Sequence, residues 1–100
     1  MNPSPYRIQQ RAFTKPTEFR CMAPHAHQAV LQIRSIHGGP ATLHPMHKAI
    51  DGCWHGKLEL GRGRYLYRFL VDNHPVLDPT AHGTVADDHG GSYSMREVGH

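Results

Sequence analysis

The run Gly63-Arg64-Tyr65-Leu66-Tyr67-Arg68-Phe69-Leu70-Val71-Asp72-Asn73 places a large apolar side chain at every second position. In an extended chain Tyr65, Tyr67, Phe69 and Val71 share one face, and Leu66, Arg68 and Leu70 share the other. A helix would scatter the rings around its circumference, so the period predicts a strand. Gly63 and the Asp72-Asn73 pair supply turn chemistry at its ends. Arg68 is a charge in mid-strand. It must point away from the core, and a charge fixed on a rigid strand face is a candidate ligand contact.

The rest of the chain follows the same logic. Thr17 to Met22 reads as a first strand with Phe19 and Cys21 on one face. Ala29 to Ser35 reads as a second, with Ala29, Leu31 and Ile33 inward and Val30, Gln32 and Arg34 outward. Ile36-His37-Gly38-Gly39-Pro40 is expected to end that strand, because two glycines and a proline sit badly in a ladder. His44 to Lys48 reads as a short strand or edge segment. Asp51-Gly52 is a tight-turn signal, followed by a strand from Cys53 to Leu60 with Trp54, Gly56, Leu58 and Leu60 on one face. Asp72-Asn73 tolerates the positive φ of a two-residue hairpin, and His74 to Leu77 begins the return strand. Asp78 to Gly91 reads as a long loop, and Ser92 to Val98 as the last strand. Strands about ten residues apart, with turn signals between them, predict an all-β sandwich or small barrel. With 10 glycines and 8 prolines in 100 residues, turns are plentiful and helix is disfavoured.

Residues 1–16 are expected to form a flexible basic leader and residues 17–100 one domain. The leader is acid-free, but its single serine and scattered prolines argue against a mitochondrial presequence. Arg7, Arg11, Lys15 and Arg20 against Glu18 give the first twenty residues the whole net charge of +3, and the remainder is balanced. The folded part therefore lacks the broad positive field of a nucleic-acid binder. No apolar run is long enough to span a membrane. No secretory signal is expected, and the reading places the protein in the cytoplasm. Cys21 and Cys53 are far apart in sequence; a disulfide between adjoining strands and two buried thiols are both open.

Motifs for chemistry are sparse. There is no nucleophile elbow, no phosphate-cradling glycine loop and no placed acid pair, so catalysis is not expected. His25-x-His27 and His44-x-x-His47 could each offer two metal nitrogens. Nothing completes a four-ligand set, so neither a metal nor another cofactor is expected. Asp87-Asp88 reads as solvated loop acid. Trp54 reads as core, while Tyr93, just after Gly90-Gly91, reads as partly accessible. The ten histidines could add positive charge near pH 6.

Several stretches carry a resemblance. Phe19 to Pro24, His44-Pro45-Met46, Asp51-Gly52-Cys53-Trp54, Leu58-Glu59-Leu60, the run from Gly63 to Asp72, Asp78-Pro79, and Gly90-Gly91-Ser92-Tyr93-Ser94 with Glu97-Val98 together resemble family 48 carbohydrate-binding modules, the isoamylase amino-terminal or early-set domains. These accompany glycogen branching and debranching enzymes and form the glycogen-binding domain of the AMP-activated protein kinase β subunit. The resemblance covers about residues 17–98. It implies an immunoglobulin-like, early-set antiparallel sandwich of about seven strands that binds α-1,4-glucan on one sheet face and does no chemistry. The family lysine falls on Arg68, which keeps donors but changes their geometry. Its two stacking tryptophans fall on Gly39 and Pro75, and its asparagine on Tyr93. The expected sugar contacts are therefore Arg68, Tyr93, His74, Lys57 and Pro75. The expected partner is an α-glucan or a protein of glycogen metabolism. Without the tryptophans, a sandwich that has kept the fold and turned to protein interaction is the alternative.

Overall fold

The computed structural model describes residues 13–87 and 89–99. Nine strands follow one another: β1 (Lys15–Met22), β2 (Ala29–Ser35), β3 (Gly38–Pro45), β4 (His47–Lys48), β5 (Cys53–Leu60), β6 (Gly63–Val71), β7 (His74–Val76), β8 (Gly83–Ala86) and β9 (Ser92–Val98). There is no helix among the described residues. One sheet runs β1-β5-β4. The other runs β3-β2-β6-β9-β8, with β7 on the same edge of β6 as β9. All pairings are antiparallel. The two sheets form a sandwich, one of the two architectures expected from the strand spacing and the immunoglobulin-like one that the resemblance implies.

The core lies where the alternation places it. Phe19 from β1, Leu31 from β2, and Tyr67 and Phe69 from β6 are at most 1% exposed, and Ile33, Met46 and Trp54 pack around them. The rings of Phe19 and Phe69 meet that of Tyr67 edge-on, at 4.9 and 5.9 Å, a favoured aromatic geometry. Trp54 is a core residue, as expected, and its indole N–H donates to Ala23 O at 2.9 Å. Both cysteines are buried free thiols. Burial, with smaller contributions from Cys53 and Asp78, pushes the Cys21 thiol up.

The turns follow their residues. Asp72 and Asn73 take φ of 49° and 69°, the doubly left-handed geometry of a tight hairpin. Gly52 takes φ of 90°, and a Cβ there would lie 2.7 Å from Pro24 Cβ, so glycine is required on two counts. Asp51 Oδ1 accepts the Cys53 N–H at 2.9 Å and closes the same turn.

Three expectations about strand boundaries are corrected. β2 ends at Ser35 as expected, but Gly38-Gly39-Pro40 do not stay outside the ladder; they open β3. The strand lies at the sheet edge, so the proline's missing N–H faces no partner on that side. The register slips between Ile33 and Ser35, where positive φ at Gly38 and Gly39 absorbs the irregularity. The stretch from Asp78 to Gly91 is not all loop, because β8 pairs with β9 along an outer edge. Finally, β1 takes in Lys15 and Pro16, which pair with Leu60 and Glu59. The leader before Phe13 lies outside the described residues.

Candidate functional site

The outer face of the larger sheet carries one polar row. Leu43 of β3 pairs with Gln32 of β2, and Gln32 pairs with Arg68 of β6. On the far side Tyr67 pairs with Ser94, so Arg68 and Tyr93 meet just past the end of the β6–β9 ladder, and Tyr93 pairs with Val85 of β8. Cross-strand partners share a face, so Leu43, Gln32, Arg68, Tyr93 and Val85 lie side by side. Arg34, two residues beyond Gln32, belongs to the neighbouring row with Leu66 and Met95.

Within this row Arg68 Nε donates to Gln32 Oε1 at 2.8 Å. The Arg68 guanidinium carbon sits 4.5 Å from the centre of the Tyr93 ring, and that of Arg34 sits 5.4 Å from it. Such contacts are worth about 0.5–1 kcal/mol when exposed and more when dry. Both arginines are half-buried, and Tyr93 is only 8% exposed. The ring is therefore largely covered, and the arginines border it. Gly91 makes the close packing feasible, since a Cβ there would come within 3.1 Å of Arg68 Nη1. Leu66, 4% exposed on this outer face, lies between Arg34 and Met95 in its row.

The expected contact residues are only partly brought together. Arg68 and Tyr93 are neighbours. Pro75 pairs with Leu70, so it lies on the same face one row along. His74 pairs with Val71, which has the core-facing parity of β6, and lies exposed at the hairpin mouth. Lys57 pairs with Glu18 on the outer side of the smaller sheet, on the opposite surface of the sandwich from Arg68. Gly39, where a family tryptophan would fall, is exposed on the β3 edge. Gln32, in this row, and Arg34, reaching Tyr93 from the neighbouring one, are contacts that sequence reasoning missed. Their outward alternation on β2 was legible, but only the pairing of β2 with β6 puts them beside Arg68.

Behind the row a buried polar cluster fixes β9 against β6. Asp78 is 6% exposed. Its Oδ2 accepts the Tyr67 hydroxyl at 2.6 Å, and Oδ1 accepts the Thr80 N–H and hydroxyl at 2.9 and 2.8 Å. Its own N–H donates to Ser94 Oγ at 2.8 Å. Burial works to raise the Asp78 carboxyl, but the hydrogen bonds from Tyr67 and Thr80 outweigh it and hold the group below its ordinary range. Burial first, then the bond to Asp78, pushes the Tyr67 phenol up. Ser94 and Tyr93 are successive residues, so the cluster that holds one on the core side sets the ring of the other on the outer side.

Among the described residues no group of three His, Cys, Asp or Glu side chains is placed to hold a metal ion. His44 Nε2 lies 2.8 Å from Thr42 Oγ1. A concavity of about 940 Å³ lies on another flank, between β1 and the segment 76–84.

Comparison with known proteins agrees with this architecture. No curated protein matches the chain. Among solved structures, a pullulanase from Anoxybacillus sp. LM18-11 complexed with maltotetraose superposes with a TM-score of 0.69 at 20% identity, covering 87% of this chain and 14% of that one. PulA from Klebsiella pneumoniae gives 0.62 at 24%, covering 88% and 9%. A pullulanase mutant from Paenibacillus barengoltzii, also complexed with maltotetraose, gives 0.57 at 26%, covering 84% and 14%. The chain thus spans about a seventh or less of these enzymes. The family model of carbohydrate-binding module 48, the isoamylase N-terminal domain, matches residues 7–81, from within the leader to just short of β8. The chain belongs to that family of binding modules.

Proposed function

We propose that this chain is a non-catalytic module that binds α-1,4-glucan on the outer face of its larger sheet, with Arg68 at the centre. Arg34, Gln32 and Pro75 flank it, and His74 lies at the margin. Glycogen is the polymer and the cytoplasm the compartment that this reading names. The observation that supports it is the row Gln32–Arg68–Tyr93, which sets half-exposed donors on a rigid sheet in a member of a carbohydrate-binding family. Guanidinium groups offer paired donors to sugar hydroxyls, and their planes stack against flat apolar surfaces. Lys57, on the other sheet, is left out of this reading, in which Tyr93 acts as the support beneath the arginines and not as a stacking surface.

The test is a titration with maltoheptaose followed by backbone amide shifts. Shifts confined to Gln32, Arg34, Arg68, the residues flanking Pro75 and the 90–93 segment are expected. Shifts scattered over both sheets, or none at millimolar sugar, would defeat the proposal.

A second reading has its own support. Neither position that would carry a tryptophan holds an aromatic ring, and Tyr93 is covered. Two lost stacking contacts would cost roughly 1–3 kcal/mol of sugar affinity. A module so weakened could serve protein interaction instead. A pull-down that retains a stable protein partner, with no retention on glycogen, would favour this reading.

A further inference from the structure

The outer face is rich in donors and poor in acceptors. Among the described residues neither Nη of Arg68 and no side-chain atom of Arg34 donates a hydrogen bond; Arg68 Nε is engaged by Gln32. Neither arginine has a carboxylate partner among those residues, whereas Arg64 on the same face pairs with Glu97 at 3.8 Å. Gln32 Oε1 accepts from Arg68 Nε, which leaves it one further acceptor position. Among the described residues a carboxylate at the border is Asp87, whose Oδ1 accepts the His89 N–H at 3.2 Å. Its Oδ2 lies on the Arg68 side of Gly91 without forming an ion pair there.

A neutral sugar hydroxyl both donates and accepts, so against a face of donors it uses only its acceptor side and leaves its own O–H to water. Two guanidinium forks bordering one ring supply donors alone. A phosphate group is their complement: its oxygens accept only, it carries nearly two negative charges at neutral pH, and it fits a guanidinium with two parallel bonds. We propose that this face selects an α-glucan bearing a phosphate ester, with the phosphate seated between Arg34 and Arg68. This inference rests on the glucan-binding reading above and names the chemistry of its ligand. Arg34 and Arg68 would hold the ester group, while Gln32 and the Pro75 edge take the adjoining sugar.

The experiment titrates the full chain, by calorimetry, with maltoheptaose phosphorylated at one C6 hydroxyl and with the same preparation after phosphatase treatment. The phosphorylated sugar should bind about ten times more tightly. The preference should shrink as salt is raised, since a half-exposed charge pair is screened. R34Q and R68Q should each reduce the ratio of the two affinities to about threefold or less. R34K and R68K keep the charge and lose the fork, so they should fall between, and thermal melts of all four variants report on folding. Equal binding of both sugars would overturn this inference and leave glucan binding standing. Binding of neither would overturn both. Displacement of the phosphorylated sugar by inorganic phosphate at equal concentration would also overturn it, because the site would then read the anion and not the sugar.

Discussion

Tyr67 does two things at once. Its ring fills the centre of the core, and its hydroxyl reaches Asp78 at 2.6 Å. Tyr67→Phe keeps the ring and removes the donor, which leaves Asp78 Oδ2 buried without it. We expect a loss of about 1–3 kcal/mol in urea unfolding. The same bond sets a pH dependence. The Asp78 carboxyl has a lower pKa folded than unfolded, so its contribution is complete above the ordinary carboxylate value. That contribution is lost as the pH falls through the lowered folded value. Thermal melts of the wild type should therefore hold down to about pH 4 and decline below it. In Tyr67→Phe the folded value moves up towards the ordinary one, so the acid limb should be shallower; an unchanged acid limb would show that Tyr67 does not hold the carboxylate. At this scale the sequence was half legible. Arg68 stood out as a charge in an apolar run, and Tyr93 followed closely on two glycines. That they touch each other, and that Arg34 joins them, depends on strand order, which alternation along one strand does not encode.

The long strands were legible because each carries its own period and its own stops. β5 and β9 fall on the expected bounds, and β6 ends at Val71 as Asp72-Asn73 turns the chain. β3 and β8 were hidden for different reasons. β3 opens with residues that argue against a strand and are tolerated because its outer edge is unpaired among the described residues. β8 is four residues long, too short to show a period, and is defined by its ladder to β9. The turn before β5 gives a test of local necessity. Gly52→Ala would place a methyl group against Pro24 in a left-handed conformation, and we expect it to cost about 1–3 kcal/mol. The measurement is chemical unfolding. Gly38→Ala also sits at positive φ but meets nothing within 4 Å, so it should cost less.

For the molecule as a whole, one core joins both sheets: Phe19 and Trp54 from one side interlock with Leu31, Tyr67 and Phe69 from the other. Unfolding should then be a single transition, with circular dichroism and fluorescence giving one midpoint. The two thiols report on the same event. Both are buried, and burial pushes Cys21 away from its reactive thiolate. A thiol-reactive dye should label two cysteines per chain in denaturant and neither at a comparable rate in the native state. The expected counts would fail if the cysteines were bridged.

The position of Trp54 also decides which optical assay can see a bound sugar. The chain's only indole belongs to the smaller sheet, turned inward and tethered to Ala23, with a whole layer between it and the arginines. Tryptophan emission should thus stay dark to occupancy even when the site is full. A flat quenching curve would leave the affinity unmeasured, and a fluorophore introduced near Leu43 would be needed to give the surface a voice.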